Sequence, residues 1–258
     1  AVLALKAVAA EHLSGKVDLA YTFDGESGGL LGPYWLLNHQ YIHPQMAITP
    51  GFTHSILNAH KGCLQYKITV TGKSAHSGNS EDAHDALEAM NAILHVLYTY
   101  RKNLHKKVSA VRGIQSPTLT IGLIKGGTSI NVVPDQCEIQ IDRRFIPEES
   151  AEEVEHELEV LVREAIESYE GIQVAIEPLL KVPTFGPTSE DTTLIQKLSE
   201  NWRELFVGET LKIGGVPLYS DARHYANQGI PTVMFGVGPK VMQEANSYQA
   251  NEHIEIVD

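Results

Sequence analysis

Apolar and polar positions alternate at period two through residues 64–72, LQYKITVTG, the spacing of a half-buried strand. A long amphipathic helix is predicted over 83–104. Two further strands follow at 116–127 and 137–145, then a second long helix from 150, where Ser150 with Glu153 three residues on reads as a capping box. If 171–180, GIQVAIEPLL, is the fourth strand, the order is β-α-β-β-α-β, the ferredoxin-like arrangement of an antiparallel sheet with both helices on one face. Its open face or edge is then available to a partner.

On either side the pattern changes to helices and strands in turn. Residues 16–23, KVDLAYTF, read as a strand, followed by an acidic, glycine-rich loop, an apolar-periodic stretch to about 38 and a short strand near 45–48. Beyond 181 come a helix over 190–206, a strand near 211, a short helix over 221–227 and the strand PTVMFG. The fold class expected is therefore an α/β unit with a mainly parallel sheet, residues 1–57 and 182–258, interrupted by an inserted α+β unit, residues 58–181. Residues 1–10, AVLALKAVAA, have their apolar face in phase from the first position and no capping side chain in front of it. A longer helix entered partway has this pattern, and the chain is expected to be an excerpt.

Composition narrows the function classes. With 43% hydrophobic residues in 258, the chain can bury a core, which excludes disorder as its main state. The formal net charge of -12 repels phosphate backbones and anionic bilayers, so neither nucleic acid nor membrane is an expected partner. The expected location is cytoplasmic. Cys63 and Cys137 form no CxxC pair, which removes a thiolate zinc site and leaves structural thiols or at most one disulfide.

Candidate chemistry lies in loops. Asp24 and Glu26 sit two apart after the first strand, placed as oxygen ligands or acid/base groups, or as a solvated acidic turn. His76, in GKSAHSG, is either ligand-facing or an ordinary exposed or capping histidine. Asn131, in GGTSINVVPD, belongs to a binding loop or a hairpin. Arg144 ends a strand, where its guanidinium can clamp a carboxylate or pair with the acidic helix that follows. In YSDARHY, Arg223 and His224 begin a short helix that Ser220 or Asp221 can cap.

Taken in order, TFDGESGG, HKGCLQYKITVTGKSAHSG, GGTSINVVPDQCEIQIDRR, YSDARHYANQGIPTVMFG and NSYQANEHI resemble the zinc-dependent M20 metallopeptidases and amidohydrolases, which include acetylornithine deacetylase, succinyl-diaminopimelate desuccinylase and glutamate carboxypeptidases. The likeness covers almost the whole chain. It implies a catalytic α/β domain with two zinc ions, an inserted lid domain that forms a homodimer, and hydrolysis of amide bonds in N-acyl amino acids or short peptides. By the resemblance, Glu26 is a zinc ligand, His76 the oxyanion-stabilising lid histidine that reaches the partner's site, and Asn131, Arg144 and Arg223 bind the polar backbone or terminal carboxylate of the substrate.

The departures bear on activity. Gly25 stands where the resemblance places the general-base glutamate, Tyr248 where it places the last zinc-ligating histidine, and Thr49 with Pro50 where an acidic ligand is expected; His54 substitutes only if its loop is rearranged. The first zinc-ligating histidine and the bridging aspartate would precede residue 1. Three readings stay open: a hydrolase with impaired or rebuilt chemistry, a catalytically inactive relative acting as a small-molecule-binding or protein-interaction scaffold, and motifs that serve only packing and turns.

Overall fold

Residues 15–51, 55–236, 246 and 249–253 are described by the computed structural model. The helix expected over 1–10, His54 and Tyr248 lie outside the described residues. The strands are β1 (Ala47–Thr49), β2 (Ser55–His60), β3 (Gly62–Thr71), β4 (Thr118–Gly126), β5 (Gln136–Phe145), β6 (Gln173–Val182), β7 (Lys212–Val216) and β8 (Thr232–Met234); the α-helices are α1 (Pro33–Asn38), α2 (Ala86–Asn103), α3 (Ala151–Ala165), α4 (Thr193–Leu205) and α5 (Ala222–Ala226). They form two four-stranded sheets, ordered β1-β8-β2-β7 and β4-β5-β3-β6.

The second sheet is antiparallel throughout and has the β-α-β-β-α-β order expected. Its strand β3 alternates because Leu64, Tyr66, Ile68 and Val70 point into a core that Met90, Ile93 and Leu97 of α2 and Val154, Leu158 and Val162 of α3 fill from one face. Both helices start on side-chain caps. Asp85 Oδ1 accepts from the Leu87 and Glu88 amides at 2.8 and 3.0 Å, and Ser150 Oγ accepts from the Glu153 amide at 3.4 Å.

The first sheet is mainly parallel, β1 with β8 and β2 with β7, the pairing that alternating helices and strands produce. Two expectations change here. Strand β2, six residues that are nearly all buried, lies just ahead of β3, so the turn from one sheet to the other is Lys61 alone. Residues 16–23 form no strand: among the described residues nothing pairs with them, and Val17, Leu19, Tyr21 and Phe23 are exposed. β-branched and aromatic content alone does not make a strand without a neighbour to complete the ladder.

The two crossings between the sheets are tied together. His60 and Phe185 exchange backbone hydrogen bonds at 3.0 and 3.2 Å, and their rings meet edge-on at 5.5 Å. A side chain on Gly62 would collide with the Phe145 ring, its Cβ only 2.1 Å away, so the turn requires glycine. The His60 ring is fully buried with Nδ1 facing the Lys61 carbonyl at 2.8 Å and Nε2 facing the Ser220 carbonyl at 3.2 Å. Burial pushes its pKa down to about 4, and Arg223 contributes to the fall. The folded form thus refuses a proton that the unfolded chain accepts at about 6.5. Stability is full above that pH and declines as pH falls toward 4, at a slope approaching roughly 1.4 kcal/mol per unit. Urea unfolding of wild type and His60→Gln at pH 7.5 and 4.5 checks this: the variant should lose less stability on acidification, and equal losses would remove His60 as the cause.

Candidate functional site

The chain from Asp24 to Gly32 folds back on one carboxylate. Asp24 Oδ2 accepts from the Leu31 amide at 2.6 Å, and its carbonyl accepts from the Ser27 and Gly29 amides, both at 2.9 Å. Gly28 and Gly29 take φ of 101° and 63°, the left-handed region, and a Cβ on Gly29 would lie 2.3 Å from Asp221 Oδ1 and 2.8 Å from His224 Nε2. The paired glycines therefore let this loop close onto α5.

From α5, Arg223 and His224 reach back across that approach. Arg223 is 1% exposed and donates through Nη1 to the Ser220 carbonyl and through Nη2 to the Gly28 carbonyl, while its Nε has no partner. His224 Nε2 faces the same Gly28 oxygen at 3.0 Å. Burial lowers the proton affinity of both side chains, and the Arg223 charge lowers His224 further. Asp221 precedes the helix without capping it: the Ala222 amide donates to Ser220 Oγ at 3.2 Å. The Asp221 carboxyl is held above the usual carboxylate range by burial, with Arg223 and His224 opposing and Asp24 adding to the rise.

Tyr219 gathers the sequence candidates. Its hydroxyl donates to the Glu26 carbonyl at 3.0 Å, and the guanidinium carbons of Arg144 and Arg223 lie 5.3 and 5.6 Å from its ring centroid. Arg144 comes from the end of β5 and Arg223 from α5, so this ring is where the two sheets' residues meet. Arg144 pairs with neither an outside carboxylate nor the acidic helix but forks onto its own strand, Nε to Asp142 Oδ1 at 2.7 Å and Nη2 to Oδ2 at 3.0 Å. Although burial pushes Asp142 up, the bonds from Arg144 and Gln65 hold it below the ordinary carboxylate range. Cys63 approaches the same carboxylate at 3.5 Å; burial pushes its thiol up to about 12, which removes it as a nucleophile.

His76 and Asn131 form a separate pair in the loops that follow β3 and β4. A bridge joins His76 to Val132, the Gly78 amide donates to His76 Nδ1 at 3.1 Å, and Nε2 lies 3.5 Å from the Asn131 amide group, whose Oδ1 accepts from Ser129 at 2.7 Å. Both side chains are exposed, so the pair is free to meet a ligand presented from outside. The structure thus collects Glu26, Arg144 and Arg223 around Tyr219, and His76 with Asn131 elsewhere. Tyr219 and His60 were not legible as site features; the one signal was the position of Tyr219 four residues before Arg223.

Residues 58–170 match the M20 peptidase dimerisation domain. Acetylornithine deacetylase of Vibrio cholerae serotype O1 is 34% identical over 183 residues, 70% of this chain and 46% of that relative, and the enzyme of the same name from Aliivibrio salmonicida is 29% identical over 177 residues, 68% and 47%. The chain belongs to the M20 family. A Staphylococcus aureus tripeptidase structure shares the fold, with a TM-score of 0.63 at 19% identity over 84% of this M20 chain and 55% of the tripeptidase. The chain spans about half the length of the curated relatives it matches.

Zinc, implied by the resemblance, does not fit the described residues. Among them no three His, Cys, Asp or Glu side chains are disposed to hold a metal ion together. Glu26 is exposed on a one-turn helix, Gly25–Ser27, and Gly25 beside it offers no donor.

Proposed function

We propose that the protein is an amide hydrolase of the M20 type, acting on N-acyl amino acids or short peptides whose carboxylate is bound where Arg144 and Arg223 converge on Tyr219. That convergence is the observation that carries the reading. Arg223 supports it most directly: a buried guanidinium with an unused Nε–H is a donor held ready for an anion, and an arginine fork matches a carboxylate. In the same proposal the segments of the first sheet, up to His60 and after Val182, belong to the catalytic-type domain, and β3 to β6 with α2 and α3 form the lid, so the boundary expected at 58 moves past the end of β2. His76 with Asn131, exposed on that lid, serves the site of a second copy in a homodimer, with His76 stabilising the oxyanion and Asn131 the substrate backbone.

Gly25 favours a second reading, an inactive relative that binds the same ligands as a scaffold. Calorimetric binding of N-acetyl amino acids and their methyl esters, together with amine release and sedimentation, separates the two. The hydrolase reading expects binding that needs the free carboxylate, measurable amine release and a dimer. Binding without turnover selects the scaffold, and equal affinity for acids and esters removes the arginine site from both.

A further inference from the structure

The strands of the second sheet turn alternate residues to opposite faces. Gln65 and Asp142 lie on the face from which Arg144 meets Tyr219, while Tyr66, Ile68 and Ile141 lie on the face that the helices cover. On that helix face a cleft of about 390 Å³ opens between α3 and the edge strand β6, within the range of small-molecule sites, roughly 300–1,000 Å³. Helix α3 packs over β3, so the outermost strand keeps inward side chains partly open: Ile176 is half-buried and Pro178 exposed. Strand β6 also carries an extra residue here, since Gln65 pairs with Leu180 but Tyr66 with Pro178. A bulge beside a proline, which has no amide hydrogen, disfavours the addition of another strand at this edge.

The lining has two characters. The Tyr66 ring with Ile68, Ile176 and Pro178 makes an apolar floor, while Glu152, Glu155 and Glu159 project from α3 along the rim, where His156 also stands. Against those carboxylates are set Arg163 and Lys181, which bonds Glu155 and reaches Glu152 at 3.4 Å, so the rim keeps an excess of negative charge. Glu155 and Glu159, one turn apart on one helix face, flank the Tyr66 hydroxyl. That hydroxyl donates to Glu155 Oε1, and burial, with both carboxylates adding to it, pushes the phenol above its ordinary range. Its oxygen still has a lone pair to offer. Both Arg163 contacts with Glu159, Nε at 2.9 Å and Nη2 at 2.8 Å, fall on Oε1, which leaves Oε2 to a further donor.

We propose that this cleft is a binding site for a primary alkylammonium cation, its ammonium donating to Glu155, Glu159 and the Tyr66 oxygen and its alkyl stem lying on Ile176 and Pro178. An ammonium carries three donors and no acceptor, the complement of those three groups. An alkyl carboxylate of the same length meets the rim's own charge, and an alcohol leaves that charge uncompensated. The site lies across the sheet from Tyr219 and does not depend on the hydrolase reading.

Calorimetry on the full protein with hexylammonium chloride, against hexanol, hexanoate and ammonium chloride, tests this. Hexylammonium should bind once per chain with a Kd of about 1 mM or tighter. The other three should each bind at least about 10-fold more weakly. From ethylammonium to hexylammonium the affinity should rise by up to about 4-fold for each methylene that reaches the floor. Glu159→Gln, at an exposed helix position, keeps the fold and should weaken hexylammonium about 10-fold, and Tyr66→Phe, which keeps the ring, about 3-fold. Glu153→Gln, on the same helix but outside the cleft, removes the same charge and should leave the affinity unchanged. Hexanol binding as tightly as hexylammonium, an affinity unchanged in Glu159→Gln, equal losses in Glu159→Gln and Glu153→Gln, or no saturable binding up to about 10 mM overturns the assignment.

Discussion

Replacing Arg143 by methionine is expected to cost about 4 kcal/mol of folding stability, the scale of a broken buried ion pair. Arg143 is fully buried on β5 and belongs to a closed ring of partners. Its Nη2 meets Glu149 at 2.8 Å; Nε and Nη2 donate to the Tyr100 hydroxyl at 3.2 and 3.1 Å; that hydroxyl donates to Glu157 at 2.8 Å; and Lys107 joins Glu157 and Glu149 at 3.4 and 3.1 Å. Nη1 also donates to the Arg144 carbonyl. The ring links β5 with α2 and with the segment that starts α3, so it holds both helices on the sheet. Methionine conserves the bulk and leaves the Glu149 carboxylate, the Tyr100 hydroxyl and a carbonyl short of a donor in a dry site. Lys107 and the Ile146 amide, which donates to Glu149 at 3.1 Å, limit the loss. Urea unfolding decides, with Glu149→Gln and the double variant completing a cycle. A loss under about 1 kcal/mol would show the ring to be incidental.

How far this was legible in the sequence follows from what each signal depends on. Periodicity placed β3, β5, α2 and α3 because their burial is decided within the element and against neighbours close in sequence. Ser150 and its helix start were readable for the same reason, a local side chain meeting a local amide. Residue content misled at 16–23, where β-branched and aromatic side chains have no described strand beside them, and periodicity was silent at β2, whose unbroken burial carries no period to read. The fork of Arg144 onto Asp142 depends on two side chains of one strand sharing a face, which spacing permits but does not select over the acidic helix. Tyr219 was invisible as a site residue because its importance comes from groups 193 positions away at Glu26 and on another sheet at Arg144.

Arg223→Met is expected to weaken the binding of N-acyl amino acid carboxylates about 100-fold, since it removes a buried guanidinium whose Nε–H has no partner, and to cost about 3 kcal/mol of stability. The two effects have separate physical origins. Affinity falls because a charge-assisted fork onto a carboxylate is lost, and the methionine offers only dispersion in its place. Stability falls because the Gly28 and Ser220 carbonyls each lose a charged donor. His224 Nε2 still faces the Gly28 oxygen, His60 can donate to the Ser220 oxygen in its Nε2–H tautomer, and the orphaned Nε is itself removed. These compensations are why the expected cost is smaller than for Arg143. Lysine at 223 separates the origins further: it keeps a positive charge on a stem of similar length but cannot satisfy both carbonyls and a ligand at once. Calorimetry should place Arg223→Lys between wild type and Arg223→Met in affinity. Arg144→Met, whose fork is already spent on Asp142, should weaken binding less than Arg223→Met. If the order is reversed, the anion is held chiefly from β5 and the role assigned to Arg223 passes to Arg144.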